Sequence, residues 1–319
     1  MMKITSLIIA FSALILLSFN TKNTFISDTL QVQNNPENQN RKSLDFFVIG
    51  DWGEANLIQQ QVANAMAFEA AKNPIDFIIS VGDNFYPHGV RSINDKKWEN
   101  TFENVYADSN LITDWYTAIG NHDYQGNVGA QLRYHKKNPR WKTTERYFSF
   151  KKSIPQSKDS VLFVFIDTNP FDKWVGLFTG GNWRHSKKKQ LLWLENVLQA
   201  SKEKWKIVVG HHPLYTTGIR RGQTADIQAA FLAAFEKHQV DVYFSGHDHS
   251  LQHQKPAGHT HYFVSGAGSE SRGVTIDSSM TKFAKKDHGF IQAELTKDNL
   301  EIKFINANNK DLYHTTISK

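Results

Sequence analysis

Five times in this chain an apolar run ends in glycine and a residue able to bind a metal follows at once: Gly50-Asp51, Gly82-Asp83, Gly120-Asn121, Gly210-His211 and Gly246-His247. Tyr86 stands three residues after Asp83, and His249 two after His247. In α/β sheets, ligand sites form just beyond the carboxyl ends of strands. Glycine there lets the backbone turn sharply and leaves room beside the site. The pattern would therefore gather these side chains at one rim. Asp, Asn, His and Tyr donors without cysteine suit borderline or hard metals. Seven donors exceed the usual shell of one ion, and two ions sharing a carboxylate is the economical arrangement. Paired ions clamp the attacking and leaving oxygens of a phosphoester, so the chemistry indicated is phosphoester hydrolysis.

Such residues need a scaffold of strands with helices between them. Strand-like runs lie at 44–50, 76–82, 115–120, 146–150, 161–167, 204–210 and 240–246. Helical spacing marks 54–72, 186–202 and 226–238, with Leu191, Leu194 and Leu198 on one face of the second. After 246 the helices thin out, and 261–266, 289–295, 300–306 and 312–318 read as strands that finish a second sheet. The alternation argues for one layered α/β domain over residues 44–319.

The motifs GDWG, GDNFYPHGV, GNHDYQGNVGAQ and SGHDHSLQH, with FIDTNP and SGAG, make the chain resemble the purple acid phosphatases among the calcineurin-like metallophosphoesterases. The short, tartrate-resistant type is the most similar. The resemblance implies a four-layer α-β-β-α sandwich, two mixed β-sheets flanked by helices, with a dimetal site at the strand-end rim. It implies Fe³⁺ at Asp51, Asp83, Tyr86 and His249. It implies a divalent ion, Fe²⁺, Zn²⁺ or Mn²⁺, at Asp83, Asn121, His211 and His247. The chemistry agrees, since two carboxylates and a phenolate suit a trivalent ion and imidazoles with an amide suit a divalent one. A phenol of pKa about 10 needs a strong Lewis acid to ionise at neutral pH, and phenolate-to-Fe³⁺ charge transfer would give a purple colour. His122 is placed by the resemblance beside the substrate phosphate, with Asp123 as a residue that could orient it. The expected reaction is hydrolysis of phosphomonoesters by in-line attack of a metal-held hydroxide, with an acidic optimum.

The chain departs from the resemblance at Arg220, where animal members carry a histidine. Arg220 and Arg221 can grip phosphate beside Asn121 but cannot act as acids, so His212 is the candidate to replace the missing acid. Residues 174–189, with Trp183, suit a lid over the site. The other readings of the same residues are a phosphodiesterase or nucleotidase, or an iron-dependent redox or phosphate-binding protein.

Lys3 is the only charge in the first twenty residues, and 4–19 is apolar. This reads as a signal peptide over 1–20, followed by a polar linker over 21–43. The expectation is export to the periplasm or the outside, with an uncleaved anchor as the alternative and no stable membrane insertion once the signal is cut. The chain has no cysteine, which excludes disulfides and thiolate sites. Its formal net charge of +6 suits an anionic small-molecule phosphoester but is no nucleic-acid footprint. A monomer is expected.

Overall fold

The computed structural model describes residues 41–173 and 187–319. Its strands are β1 (Leu44–Ile49), β2 (Phe77–Ser80), β3 (Asp114–Thr117), β4 (Phe148–Ser153), β5 (Ser160–Phe165), β6 (Trp205–Val209), β7 (Val242–Ser245), β8 (Leu251–Gln254), β9 (His261–Ser265), β10 (Thr281–Lys285), β11 (Gly289–Leu295), β12 (Asn299–Asn306) and β13 (Asp311–Ser318). They form a six-stranded sheet, β13-β12-β11-β1-β2-β3, and a seven-stranded sheet, β10-β8-β9-β7-β6-β5-β4. In the first, β1, β2 and β3 run parallel. In the second, β5, β6, β7 and β9 do. Antiparallel pairs complete both sheets.

Successive side chains of a strand face opposite sides of its sheet, and this assigns the layers. Phe46 and Val48 of β1 enter the core between the sheets, where the Phe46 ring lies 5.5 Å from Phe163 of β5, edge to face. Phe47 and Ile49 point the other way and pack with Val62, Ala63 and Met66 of helix α1 (Leu57–Lys72). On the outer face of the second sheet, Leu162, Val164, Val208 and Tyr243 meet two helices. These contribute Leu194 and Leu198 from Lys187–Ala200, and Ile227, Phe231 and Phe235 from Ala225–Lys237. The result is the α-β-β-α sandwich that the resemblance implied.

Two details differ from the sequence reading. The tail strands do not finish one sheet: β9 joins the second, whereas β11, β12 and β13 extend the first beyond β1. The folded body also starts before residue 44, because the Arg41 guanidinium pairs with Asp45 and with both oxygens of Asp76, at 2.9 Å each. The expected signal peptide, most of the linker and most of the lid segment, Trp183 included, lie outside the described residues. Among the described residues no helix is long and apolar enough to cross a membrane.

Candidate metal centre

The parallel strands explain the glycine pattern. Asp51, Asp83 and Asn121 follow the adjacent strands β1, β2 and β3, and His211, His247 and His249 follow the adjacent strands β6 and β7. The carboxyl ends of two sheets thus meet at one rim. Close approach there requires glycine: a Cβ on Gly120 would overlap the Asp83 carboxylate, and one on Gly246 would overlap that of Asp51. Asp51, Asp83 and His247 have φ of 53°, 50° and 66°, a left-handed backbone that costs non-glycine residues about 1–3 kcal/mol each.

The donors fall into two groups joined at one atom. The Tyr86 hydroxyl donates to Asp83 Oδ2 (3.0 Å) or Asp51 Oδ1 (3.1 Å) and lies 3.2 Å from His249 Nε2. Asn121 Oδ1 stands 2.8 Å from His247 Nδ1 and 3.1 Å from His211 Nε2. Asp83 Oδ2 is also 3.4 Å from His211 Nε2, so the same oxygen borders both groups. Ligands about 2.1 Å from a common ion and a right angle apart stand about 3 Å from one another. Both groups have that spacing. All seven residues predicted as ligands are brought together, and Asp51, Asp83 and His211 are almost wholly enclosed.

The electrostatics call for cations. Burial works to raise the Asp83 pKa, but the charge and hydrogen bond of His211 outweigh it and hold the carboxyl below its usual range. Burial works to lower that of His211, but Asp83, and then Asp51, raise it to about 9. Burial, then the charges of Asp51 and Asp83, push the Tyr86 phenol well above its ordinary value. Protons on His211 and Tyr86 thus occupy places where bound cations would neutralise the two carboxylates. Burial, then the neighbouring imidazoles of His212 and His211 and the charge of Arg220, push His247 down, which favours a neutral imidazole with a lone pair to give.

Partners outside this set aim the donors. Val81 O accepts from His211 Nδ1 (2.9 Å), and Glu270 Oε2 accepts from His249 Nδ1 (2.9 Å), which turns each Nε2 lone pair toward the centre. Glu270 is itself held by Arg272 through Nε (3.1 Å) and Nη2 (2.9 Å). The sequence reading missed Glu270, which belongs to no glycine-donor pair. Loss of a carboxylate behind a ligating histidine typically weakens metal binding about 10–100-fold. Glu270→Gln is therefore expected to release the ion at His249 to a competing chelator more readily by that factor. An unchanged chelator titration would deny Glu270 this part.

The remaining predicted residues separate. His122 Nδ1 donates to Pro87 O (2.6 Å), and its Nε2 is 4.0 Å from Asp83 Oδ2. Asp123 does not orient that ring as expected. Its carboxylate instead accepts from Gly120 N (2.8 Å), Asn84 N and Nδ2 (3.0 Å each) and Gln131 Nε2 (2.9 Å), fastening the loops. His212 is enclosed: Nδ1 contacts Thr168 Oγ1 at 2.7 Å, and Nε2 makes no hydrogen bond but lies 3.4 Å from Asp172 Oδ2. Burial and then His211 push its pKa well down, so it is a neutral ring, poorly placed to protonate a leaving group. Arg220 is half-buried, and its charge acts on His247 and His212. Arg221 is exposed and reaches Thr275 Oγ1 (3.2 Å). Asp248, quoted in the sequence motif but given no role there, accepts from Thr216 Oγ1 (2.5 Å), Ile219 N (3.1 Å) and Arg220 N (3.3 Å), and so pins the Arg220 loop.

Comparison with known proteins agrees with this architecture. The calcineurin-like phosphoesterase family profile matches residues 44–251. Purple acid phosphatase 7 of Arabidopsis thaliana is 36% identical over 87% of each chain. Tartrate-resistant acid phosphatase type 5 of Sus scrofa is 30% identical, over 86% of this chain and 87% of its own. Among solved structures, GAP50, the anchor in the inner membrane complex of Plasmodium, superposes with a TM-score of 0.77 at 26% identity, covering 87% of this chain and 89% of its own. The purple acid phosphatase PPD1 of yellow lupin shares the fold with a TM-score of 0.63 at 17% identity, covering 86% and 54%. With this profile, these identities and two groups of buried donors meeting at one aspartate, the chain belongs to the calcineurin-like phosphoesterases and, within them, to the purple acid phosphatases, metal-dependent phosphomonoester hydrolases.

Proposed function

We propose that Asp51, Asp83, Tyr86 and His249 hold a ferric ion, and that Asp83, Asn121, His211 and His247 hold a divalent one: Fe²⁺, Zn²⁺ or Mn²⁺. The observation that carries this is the single oxygen, Asp83 Oδ2, bordering both a phenol-carboxylate group and an imidazole-amide group. Bound there, two ions supply Lewis acidity toward phosphoryl oxygens and a water of lowered pKa. The chain's own part is to bind and to position. His122, its Nδ1 committed to Pro87 O, presents Nε2 beside Asp83, where a phosphoryl or ester oxygen can meet it. Arg220, on the loop pinned by Asp248, adds positive charge beside His247 for a dianionic phosphate. Asn121 serves as ligand and borders the same phosphate. Arg221, tied to Thr275, acts at most at the periphery. We further place the enzyme outside the cytoplasm, periplasmic or extracellular, on the apolar run at 4–19, with its catalytic domain over the rest of the chain after the linker.

The test combines metal and turnover. Purified protein is expected to hold two ions, to absorb in the visible, and to cleave an aryl phosphomonoester faster than the matching diester at acidic pH. Tyr86→Phe is expected to lose the visible band completely, because no other described donor at that group is a phenol. Protein loaded with zinc alone should be colourless for the same reason. A diester preference would move the enzyme to the phosphodiesterase reading. A coloured Tyr86→Phe protein would refute the ligand assignment, and two bound ions with no hydrolysis would favour the redox or phosphate-binding reading.

A further inference from the structure

A cavity of about 540 Å³ lies against the loop that carries Tyr86, lined by His88, Arg91, Ser92, Asp95, Lys97 and Gln125. Ligand pockets commonly run from about 300 to 1,000 Å³. Its two walls are the loops that bring Tyr86 and His122 to the centre. They are joined by Pro87 O, which accepts from His122 Nδ1 (2.6 Å), and by Gly89 N, which donates to His122 O (2.8 Å). The cavity thus borders the two loops that carry Tyr86 and His122, and the metal centre uses none of its side chains.

Its charges are arranged for an anion. Lys97 Nζ donates to two neutral carbonyls, Tyr86 O (3.0 Å) and His88 O (2.5 Å), which fix its position without cancelling its charge. The one acid, Asp95, is held ionised by the backbone N–H groups of Arg91 (2.7 Å) and Lys97 (3.0 Å), and its charge acts on both Lys97 and Arg91, so the two cations outweigh it by one charge. His88 Nδ1 donates to Gln125 Oε1 (2.7 Å), which orients the ring. The exposed Arg91 guanidinium has no hydrogen-bond or ion-pair partner among the described residues. A guanidinium beside a second cation and an oriented imidazole recognises phosphate oxygens, which arginine can bind in pairs.

We propose that this cavity is a leaving-group subsite that takes a second phosphate, so that the enzyme favours bis-phosphorylated substrates. The inference rests on the phosphomonoesterase reading and names the substrate class of that site. A phosphoryl group that meets His122 extends the rest of its molecule along the wall shared with Arg91 and His88. In the reaction water supplies the new oxygen on the scissile phosphorus, the bond from phosphorus to the ester oxygen breaks, and that oxygen leaves protonated. The second phosphate stays on the released alcohol.

The test uses full-length, metal-loaded protein and alkanediol bis-phosphates of two to six carbons, each against its mono-phosphate. At the chain length that spans the two sites, kcat/KM is expected to favour the bis-phosphate about tenfold or more, the size of one charge-assisted contact. Arg91→Gln, which removes no internal contact, is expected to abolish most of that preference and to leave the mono-phosphates within about twofold. No preference at any length, or one that survives Arg91→Gln, overturns the proposal. So does an effect of Arg91→Gln only on inhibition by inorganic phosphate, which would make the cavity a site for the free ion. Calorimetric binding of the same-length bisphosphonate and monophosphonate repeats the comparison without turnover. Loss of the bisphosphonate's advantage in Arg91→Gln supports the subsite even where no monoester is cleaved, an outcome that would fail the enzyme reading alone.

Discussion

Asp83→Asn is expected to lower kcat/KM toward an aryl phosphate by about three to four orders of magnitude and to leave fewer than two ions per chain. Asp83 Oδ2 is 3.0 Å from the Tyr86 hydroxyl and 3.4 Å from His211 Nε2, while Oδ1 accepts from His122 N at 2.8 Å. One carboxylate thus serves both donor groups and fixes the backbone that presents His122. Ion pairs of this kind contribute several kcal/mol of transition-state stabilisation, and each 1.36 kcal/mol is tenfold in rate.

Asparagine is the informative replacement. It tolerates the left-handed backbone at φ 50° and keeps an oxygen for His122 N, while the shared Oδ2 position becomes an uncharged NH2 that cannot ligate a metal. The apo protein should remain folded, because His211, the cationic partner of Asp83, can shed its proton once the carboxylate is gone. His211, whose pKa stands at about 9 chiefly through Asp83 against the pull of burial, should then lose its proton at lower pH. Asp51→Asn supplies the contrast: among the donor side chains Asp51 borders those of Tyr86 and His249, and it meets the second group through the backbone N of His247 (2.9 Å), so the second ion should be retained. Metal analysis decides between them, and two tightly held ions in Asp83→Asn would show that the carboxylate is not shared.

How much of this was legible in the sequence depends on whether the cause was local. Asp51, Asp83, Asn121, His211 and His247 could be found because each follows a strand and a glycine, and strand-end turns are written in adjacent residues. His249 and Tyr86 stood within three residues of such a pair. Glu270 and Asp248 act through tertiary approach. Nothing near Glu270 indicates that Arg272 and His249 will converge on it, and the role of Asp248 depends on Thr216 and Ile219 folding back over it. The same division holds for the fold. The runs at 289–295, 300–306 and 312–318 were recognisable as strands, but which sheet they join is set by β11 pairing with β1, some 240 residues earlier. β8 (LQHQ) and β10 (TKFAK) were too polar to stand out from their loops, although strands as short, such as β2 and β7, did so on apolar runs. Asp123 misled because proximity in sequence to His122 suggested a partner. Its carboxylate faces the β2 and β3 loops instead, where Asn84, Gly120 and Gln131 supply more donors than one ring could.

His122→Ala is expected to cut kcat about 10²–10³-fold with KM and both ions little changed, and the loss should depend on the leaving group. His122 stands outside the donor groups: its Nε2 is 4.0 Å from Asp83 Oδ2, against 3.0 Å for the Tyr86 hydroxyl. The ring is the most open of the site's imidazoles, about a third exposed, where His211 and His212 are enclosed. Pro87 O takes Nδ1–H and the Tyr86 ring lies 4.4 Å away, so Nε2 is held toward the centre. A positioned proton donor or acceptor contributes about 10²–10⁴-fold. An alkyl phosphate, which leaves as a strongly basic alkoxide, needs that proton more than a nitrophenyl phosphate does. The ratio of the two rates should therefore widen by about tenfold or more in His122→Ala. Equal losses for both esters would assign His122 to the phosphoryl oxygens alone. Loss of an ion would make it a ligand after all. The same pair of esters applied to His212→Ala separates the candidates: with Nδ1 against Thr168 and the ring enclosed, that change should alter stability and leave the ratio as it is. A widened ratio in His212→Ala instead would return the acid to that residue.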